Sequence, residues 1–526
     1  MKILVSDPLS EEGLKILREE KSLQVDVKLK QPEDVLKEII KDYDALLVRS
    51  ETKVTAAIIE KADKLKVIGR AGVGLDNVDV EAATKKGIIV MNAPEGNTIS
   101  TAEHTLSLIL ALSRNIAQAN ASLKQGEWNR KKFMGVELYG KSLGVVGLGR
   151  IGKEVAKRAL SFGMKVLAYD PYLPEDKARQ LGVELVELQE LFRQADYITL
   201  HVPLTEDTKN MISEKEFGLM KKGVRLVNCA RGGLIDESAL AKAVENGIVQ
   251  GAAIDVFEKE PPGDNPLLKL EKVIVTPHLG ASTEEAQINV SIDIARQVKD
   301  ALLGAGVRNA VNFPCVEGQL LNLLKPYIDL AEKLGALETQ ISEGHIKEVK
   351  IKYTGEVLNC DTQPLTVALI KGMLTPILQE TVNFVNAPLI AKERGIKVSE
   401  TKTAEAEDFA NLVSVEVITD KSRNVVLGTL LANNSPRIVR INEFYVEAIP
   451  AGHMLLLHNW DKPGVVGNIG TILGENKINI AGMTFGRKKP GGRAITLLNV
   501  DSAVPEAVIK QLKSTENILD AKLIKL

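Results

Sequence analysis

Arg231 and His278 have side chains suited to chemistry on a small organic acid, and each directly follows a short apolar segment. A guanidinium such as that of Arg231 can grip a carboxylate through two parallel hydrogen bonds and polarise a neighbouring carbonyl. The imidazole of His278 changes charge near neutral pH, so it can carry a proton to or from a reacting oxygen. Taken singly, a surface arginine and a structural histidine are the commoner explanations, so the interpretation depends on their setting.

An acidic loop supplies a partner for the histidine. Glu260, in the segment Phe257-Glu258-Lys259-Glu260-Pro261-Pro262, would accept a hydrogen bond from His278, fix its tautomer and stabilise the imidazolium. Glu258 is the nearest competitor, and spacing alone does not choose between them. Together the three groups predict proton transfer at a carbon that gains or loses hydride, with a carboxylate held beside it.

The glycine turn Gly147-Leu148-Gly149-Arg150-Ile151-Gly152 predicts a dinucleotide site, because it stands where a predicted strand ends and a helix begins. Helix N–H groups at such a turn face the pyrophosphate. The pattern alone is weak, and a plain glycine-rich turn is the alternative. Asp170 ends the next predicted strand, 18 residues past Gly152. A carboxylate there binds ribose hydroxyls and disfavours a 2′-phosphate, so we expect NAD as cofactor.

The elements that must position these residues alternate regularly between strands and helices. Six predicted strands describe a doubly wound, Rossmann-type sheet, at residues 143–147, 165–170, 197–202, 225–230, 252–256 and 273–276. Ligands of such sheets bind beyond the carboxyl ends of the strands, which is where Arg231 and His278 fall.

A smaller strand–helix block, with strands at 3–6, 45–49, 67–71 and 88–92, precedes this sheet. One long helix, 100–124, is predicted to cross between the two, and a helix at 283–303 to pack back onto the first block. The fold class is therefore α/β, with the cofactor domain (98–280) inserted in a flavodoxin-like substrate domain (1–97 and 281–311).

Beyond residue 312 the pattern changes to longer helices (320–342, 365–386) and strands at 349–353, 413–419 and 438–447. We predict an α/β intervening domain over 312–450. The last stretch, 451–526, reads strand, helix, strand, strand, helix, strand, which is typical of a ferredoxin-like module.

Composition excludes several classes of protein. A net charge of −2 in 526 residues gives no basic field for nucleic acid. Three scattered cysteines exclude a disulfide framework, and His345, His453 and His458 are too dispersed for a metal cluster. With no signal-peptide pattern and no apolar run near the roughly 20 residues that span a bilayer, we expect a cytoplasmic protein without a membrane partner.

In combination, residues 147–152, Asp170, 229–233, 260–262 and 277–282 resemble the D-2-hydroxyacid dehydrogenase family. The resemblance implies that Arg231, Glu260 and His278 are catalytic, which favours Glu260 over Glu258. The residues that match the family's cofactor contacts are Gly147, Gly149, Arg150, Ile151, Gly152, Asp170, Val202, Pro203, Cys229, Ala230, Arg231, Asp255, His278, Gly280 and Ala281.

Segments 49–50, 69–77 and 92–97 resemble the members that oxidise 3-phosphoglycerate at the start of serine synthesis. That resemblance implies substrate contacts by Arg49, Ser50, Arg70, Gly72, Val73, Gly74 and Asn97. Val73 departs from relatives with threonine at this place. Two alternatives stay open: a dehydrogenase for glyoxylate, another 2-oxo acid or erythronate 4-phosphate, or an NAD-sensing binding protein on the same scaffold.

The last module resembles an ACT regulatory domain in residues 458–467 and 477–480. ACT domains pair edge to edge and bind amino acids at the seam, which implies L-serine as an effector and Asn459, Asp461 and Asn479 as its ligands. The alternative is an Asp-Lys-Pro-Gly turn that only shapes a loop. The resemblance also implies a homo-oligomer, as a tetramer.

Overall fold

The computed structural model describes residues 1–378, 382–405 and 409–526. Its first sheet has five parallel strands in the order β2-β1-β3-β4-β5. The strands are β1 (Lys2–Val5), β2 (Gln24–Val27), β3 (Ala45–Val48), β4 (Val67–Arg70) and β5 (Ile89–Asn92). The helices between them are α1 (Glu11–Arg18), α2 (Glu33–Ile39), α3 (Ala56–Glu60) and α4 (Val80–Lys86). The sequence did not predict β2, because this edge strand is half-exposed and carries polar residues at alternate positions.

The predicted single helix 100–124 is wrong in one respect, since the structure has two helices there. These are α5 (Thr98–Arg114) and α6 (Ile116–Lys124). Asn115 separates them with a φ of 51°, a left-handed conformation that asparagine tolerates and that ends a helix. The apolar periodicity continues across the break, which explains why the pattern did not reveal it.

The second sheet has seven parallel strands in the order β8-β7-β6-β9-β10-β11-β12, the doubly wound order of dinucleotide-binding domains. Its strands are β6 (Ser142–Val146), β7 (Lys165–Tyr169), β8 (Glu184–Leu185), β9 (Tyr197–Leu200), β10 (Val224–Asn228), β11 (Val249–Ile254) and β12 (Val273–Val275). Its helices are α7 (Arg150–Ser161), α8 (Glu175–Gln180), α9 (Leu188–Gln194), α10 (Glu214–Phe217) and α11 (Glu237–Glu245). The central strands are apolar on both faces because helices cover both sides.

Helix α12 (Glu284–Leu302) returns to the first sheet. Val290, Ile294 and Val298 on this helix lie in one apolar cluster with Ile3 and Leu47. The chain then forms the short pair β13 (Gly306–Val307) and β14 (Val316–Glu317). The cleft between the two sheets is thus bridged by α5 on one side and by the segment leading to α12 on the other.

The next region has a six-stranded sheet in the order β16-β15-β17-β18-β19-β20. Its elements are α13 (Gly318–Ile341), β15 (Ile346–Gly355), α14 (Gln363–Leu378), α15 (Ala387–Glu393), β16 (Lys397–Thr403), β17 (Asn411–Thr419), β18 (Arg423–Leu431), β19 (Ser435–Ile441) and β20 (Phe444–Ala448). The predicted helix 365–386 extends into residues 379–381, which lie outside the described part, and α15 is separate from α14. The predicted strand 438–447 is wrong, because Asn442, with a φ of 53°, turns the chain into a hairpin.

The last region has a four-stranded antiparallel sheet in the order β22-β23-β21-β24. Its elements are β21 (His453–Trp460), α16 (Val465–Glu475), β22 (Ile480–Arg487), β23 (Arg493–Val500), α17 (Glu506–Lys513) and β24 (Ile518–Lys525), in the predicted order. One face of the sheet packs on its own helices, while Met454, Leu456 and Ile524 on the other join the cluster formed by α13. The predicted α/β fold class is confirmed. In the described part of the chain, no helix is both long and apolar enough to cross a bilayer.

Candidate active site

The glycine turn has the shape that a dinucleotide requires. Gly147 has a φ of 93°, and a Cβ there would lie 2.5 Å from the carbonyl oxygen of His201. A Cβ on Gly152 would lie 2.0 Å from the carbonyl oxygen of Gly147, so this glycine lets α7 approach the strand. A Cβ on Gly149 would meet nothing within 4 Å, which leaves open space directly before the first turn of α7. The turn therefore fits a pyrophosphate at a helix N-terminus.

Asp170 lies at the end of β7 and is held in place by backbone. Its Oδ2 accepts from the N–H of Leu148 at 2.9 Å, and its Oδ1 accepts from the N–H of Tyr172 at 2.9 Å. The carboxylate is thus fixed against the glycine turn, with lone pairs left for ribose hydroxyls. The guanidinium of Arg150 lies 3.9 Å from the carboxylate of Glu95, across the cleft from the turn.

His278 and Glu260 form a hydrogen-bonded pair. The Nδ1 of His278 lies 2.9 Å from Oε2 of Glu260, and Oε1 of Glu260 accepts from the N–H of Phe257 at 3.1 Å. This arrangement leaves Nε2 of the imidazole for a reacting oxygen. Glu258 is the alternative partner for His278 in the sequence. Its backbone N–H instead donates to the carboxylate of Glu237 at 2.8 Å.

The electrostatics of the pair suit a proton carrier. The hydrogen bond to Glu260 raises the pKa of His278, against the opposing effect of burial, and the negative charges of Glu260 and Asp255 add to the rise. Burial alone would raise the pKa of the Glu260 carboxyl, but the hydrogen bond and charge of His278 hold it below its ordinary value. Glu260 is therefore ionised at neutral pH and stabilises the imidazolium.

Arg231 is the third residue after β10 and lines the cleft. Its Nη1 donates to the carbonyl of Ala230 at 2.7 Å, and its Nε lies 3.4 Å from Oδ2 of Asp76. A Cβ on Gly74 would lie 2.3 Å from Nη2 of Arg231, so a side chain there would displace the guanidinium from its position against the first domain. Asp76 and Gly74 lie on the opposite wall of the cleft, whereas Ala230 precedes Arg231 on its own wall.

Three arginines share one region of positive potential. Burial and the positive charges of Arg231 and Arg49 together lower the pKa of Arg70 to about 10, against the opposing effect of Asp76 and Asp7. The guanidinium of Arg70 also lies against the backbone of Gly72, where a Cβ would be 1.7 Å from Nη1. An anion bound among these side chains would relieve their mutual repulsion.

The loop that carries Arg49 is held by the buried carboxylate of Asp7 and by the side-chain amide of Asn77. Asp7 accepts from the N–H of Arg49 at 2.6 Å and from the hydroxyl of Thr52 at 2.5 Å. The amide of Asn77 donates to the carbonyls of Arg49 and Thr52, both at 2.6 Å. The turn 72–77 and the Arg49 loop are thus tied together. Ser50 is exposed beside them.

Many of the predicted residues meet at a cleft of about 440 Å³ between the two sheets. Twelve of them line it: Val73, Gly74, Asn97, Ile151, Val202, Pro203, Cys229, Ala230, Arg231, His278, Gly280 and Ala281. The other eleven do not line it: Gly147, Gly149, Arg150, Gly152, Asp170, Asp255, Arg49, Ser50, Arg70, Gly72 and Glu260, the last of which lines a neighbouring pocket with His278. Such a volume accommodates a nicotinamide and a small substrate together.

Sequence reasoning missed several lining residues, among them Asp76, Thr101 and His201. His201 follows β9 just as Arg231 follows β10, so the strand-end rule would have found it. Its Nε2 lies 3.0 Å from the hydroxyl of Thr199, and burial lowers its pKa to about 4. The ring is therefore neutral and adds shape rather than charge.

Asp255 lies beneath the cleft rather than in it. Its side chain is fully buried, and its oxygens accept from Thr276, Leu279 and Gly280. Direct contact with a cofactor stays a prediction for this residue. Among the described residues, His104, Cys229 and Asp255 are the group with metal-ligand atoms within 4.8 Å. Burial raises the pKa of Cys229 to about 12, so its thiol is protonated and the trio suits hydrogen bonding rather than metal binding.

The predicted effector residues do not converge within one chain. The side chain of Asn459 is fully buried and accepts from the hydroxyl of Thr496 at 3.0 Å. Asp461 accepts from Arg487 at 2.8 Å and from the N–H of Gly491 at 3.0 Å, before β23 begins. Asn479 donates to Asp501 at 2.7 Å, after β23 has ended.

The comparisons with known proteins agree with this arrangement. Residues 106–280 match the model of the D-isomer specific 2-hydroxyacid dehydrogenase NAD binding domain, 323–442 the D-3-phosphoglycerate dehydrogenase intervening domain, and 453–517 the ACT domain. Among solved structures, a D-lactate dehydrogenase from Aquifex aeolicus, complexed with NAD and lactic acid, is 32% identical with a TM-score of 0.51 and covers 58% of this chain and 96% of its own. A glyoxylate reductase from Paecilomyes thermophila is 30% identical with a TM-score of 0.55, covering 59% and 98%.

Full-length relatives share the whole domain series. D-3-phosphoglycerate dehydrogenase from Methanocaldococcus jannaschii is 51% identical, with 100% of both chains covered. The protein of that name from Bacillus subtilis is 47% identical over 100% of this chain and 99% of its own. The chain therefore belongs to the D-3-phosphoglycerate dehydrogenase family of the NAD-dependent D-2-hydroxyacid dehydrogenases.

Proposed function

We propose that this chain oxidises 3-phospho-D-glycerate to 3-phosphohydroxypyruvate with NAD, the first step of L-serine synthesis. The observation that carries the proposal is the meeting of the His278–Glu260 pair with the cluster of Arg49, Arg70 and Arg231 at one cleft. Relatives named for this activity over their full lengths support it. A hydroxy acid with a second anionic group matches a site that has more positive charge than one carboxylate needs.

In the oxidation, the neutral imidazole of His278 accepts the proton of the C2 hydroxyl at Nε2 as the carbonyl forms. NAD, when bound, supplies the acceptor for the hydride that leaves C2. Glu260 keeps the Nδ1 proton in place, so the ring presents a lone pair at Nε2 and its positive charge is stabilised after transfer. Substrate loses one hydride and one proton, and the product is the 2-oxo acid.

The arginines divide the anionic ends of the substrate between them. Arg231 adjoins the catalytic pair and would hold the carboxylate and polarise the C2 oxygen. Arg70 and Arg49, on the first sheet, would hold the phosphate end together with the backbone of the turn 72–74. The separation of the cations along the cleft thereby selects an acid that is phosphorylated at its far end.

The direct test is turnover of the purified chain with NAD and a series of D-hydroxy acids. We expect kcat/KM for 3-phosphoglycerate to exceed that for D-glycerate and D-lactate by roughly 100-fold or more, since the lost phosphate leaves two guanidiniums unpaired. Equal rates with unphosphorylated acids would favour the first alternative, a general 2-hydroxyacid dehydrogenase. No turnover with any acid, despite NAD binding, would favour the NAD-sensing protein.

An amino-acid effector and a homo-oligomer belong to the same proposal. The ACT match supports an amino-acid effector, which we propose to be L-serine, the end product of the pathway. Trp128, Met134 and Tyr139 are 77%, 79% and 78% exposed along one segment, which favours cover by a second copy, within a tetramer. We also propose a cytoplasmic location and the domain bounds 1–97 with 281–311, 98–280, 312–450 and 451–526.

A further inference from the structure

The loop that carries His278 depends on Asp255, which is fully buried directly after β11. Oδ1 of Asp255 accepts from the hydroxyl of Thr276 at 2.6 Å and from the N–H of Leu279 at 2.7 Å. Oδ2 accepts from the N–H of Gly280 at 3.0 Å. One carboxylate thus holds both ends of the loop 276–280.

The backbone of His278 is itself in an unusual conformation. Its φ is 56°, in the left-handed region that costs a non-glycine residue free energy. Its N–H donates to the carbonyl of Asp255 at 2.9 Å, which anchors the residue to the same strand end. The position of the imidazole against Glu260 therefore follows from how firmly Asp255 is oriented.

The imidazole of His104, on α5, contacts the carboxylate of Asp255. Its Nε2 lies 3.2 Å from Oδ1 of Asp255 and 3.3 Å from the hydroxyl of Thr276. Since the hydroxyl of Thr276 donates to Asp255, a protonated Nε2 on His104 completes the arrangement as the second side-chain donor. The side chain of His104 is 19% exposed, so solvent screens this contact only in part.

The same helix holds the far end of the loop by a separate route. Ser100 and Thr101, in the first turn of α5, donate their hydroxyls to the carbonyl of Gly280 at 3.1 and 3.0 Å. Helix α5 begins directly after Asn97, where the chain crosses from the first sheet to the second. It therefore grips the catalytic loop at Thr276, Asp255 and Gly280 from one side.

We propose that His104 is a positioning residue for proton transfer by His278, acting through Asp255 and Thr276. This inference rests on the proposed function and deepens it, since it adds a residue outside the cleft to the catalytic machinery. Nε2 of His104 contacts Asp255 at 3.2 Å and Thr276 at 3.3 Å, Asp255 fixes the loop 276–280, and the loop sets the 2.9 Å contact between His278 and Glu260. Reorientation of the imidazole by even about 1 Å costs roughly 100-fold in rate.

The test compares His104→Ala, which removes the donor, with His104→Gln, whose amide N–H₂ can reach the same oxygen. Ser107→Ala on the exposed face of α5 is the matched control, because its hydroxyl donates to the carbonyl of Glu103 in its own helix. We expect His104→Ala to lower kcat roughly 10- to 100-fold with the KM for NAD within about 2-fold. His104→Gln should recover most of the loss, and Ser107→Ala should match the unaltered protein.

A second measurement separates positioning from folding and needs no substrate. The chain has 6 histidines, so ¹³C-labelling of histidine rings resolves the titration of His278. Glu260 and Asp255 raise its pKa and Arg231 lowers it. In His104→Ala the pKa should fall toward the ordinary value, because a displaced loop weakens the contact with Glu260; the control should leave it unchanged.

Unaltered kcat and unaltered His278 titration in His104→Ala would overturn the proposal, as would a loss of kcat with the titration unchanged. If His104→Ala does not fold, His104→Gln provides the test. A pKa of His278 in His104→Gln that differs from that of the unaltered protein would then contradict the proposal. A chain that does not oxidise 3-phosphoglycerate would refute the proposed function, while the histidine titration would still judge the role of His104.

Discussion

The cofactor cleft and the ACT module differ in how their predicted ligands are assembled. In the cleft, Arg231, Glu260 and His278 come from strand ends of one parallel sheet and meet within a single chain. In the ACT module, Asp461 and Asn479 are tied to opposite ends of β23, which spans eight residues, roughly 25 Å. A parallel sheet collects its functional groups at one edge, whereas this antiparallel sheet distributes them over two.

This difference predicts where mutations act. A change in the cleft should alter chemistry in every chain independently of its neighbours. A change in the ACT module should leave the chemistry intact and alter a response that needs two chains. The predictions run from the first kind to the second.

The largest effect is expected from His278→Ala. Removal of the proton carrier should lower kcat about 1000-fold, since general acid–base catalysis contributes roughly 100- to 10,000-fold. NAD binding, measured by fluorescence titration, should stay within about 2-fold. His345→Ala, an exposed histidine in the intervening region, is the control and should behave as the unaltered protein. Near-normal turnover in His278→Ala would remove the central residue of the mechanism.

Arg231→Ala should lower kcat/KM for 3-phosphoglycerate about 100- to 1000-fold, because the substrate carboxylate loses a bidentate, charge-assisted partner. Arg231→Lys should recover little, since an ammonium cannot reproduce two parallel hydrogen bonds. Arg70→Ala should instead reduce the preference for 3-phosphoglycerate over D-glycerate. Equal loss with both acids in Arg70→Ala would contradict the division of the substrate between the two arginines.

Glu260→Gln should change the pH dependence as well as the rate. His278 must be neutral to accept a proton, so oxidation rises with pH through its pKa, which the bond to Glu260 raises. An amide removes the negative charge, so the rising limb of kcat/KM should move to lower pH while the plateau falls about 10- to 100-fold. Glu258→Gln is the matched control, and a shift in that variant instead would reverse the assignment of the two acids.

Asp170→Ser should affect the cofactor alone. Loss of the carboxylate should raise the KM for NAD about 10-fold and lower the preference over NADP, because a 2′-phosphate is no longer repelled. The KM for 3-phosphoglycerate should stay nearly unchanged. An unaltered NAD to NADP ratio would show that the contacts of Asp170 with Leu148 and Tyr172 are its main role.

The sequence predicts the residues of the cleft better than those of the ACT module. Strand ends locate Arg231 and His278, because apolar runs mark the buried strands of a parallel sheet and the chain must leave them at one edge. His104 escapes this reasoning because it lies inside an amphipathic helix, where a histidine gives no signal until the sheet supplies its partner. The breaks at Asn115 and Asn442 escape it because one left-handed residue interrupts a continuous apolar pattern.

The predicted effector ligands of the ACT module lie beyond what the sequence can place, because a sequence does not show how two copies of the chain align at their interface. Asp461→Ala and Asn479→Ala, expressed singly, should each leave kcat unchanged without effector and abolish serine binding measured by calorimetry. Co-expressed as mixed oligomers, they should regain roughly half of the sites in each mixed pair, because one seam then has both native residues. A site within one chain would regain none, since every chain then has one defect. The unaltered protein is the reference, and its failure to bind serine would remove serine as the effector while leaving the catalytic predictions untouched.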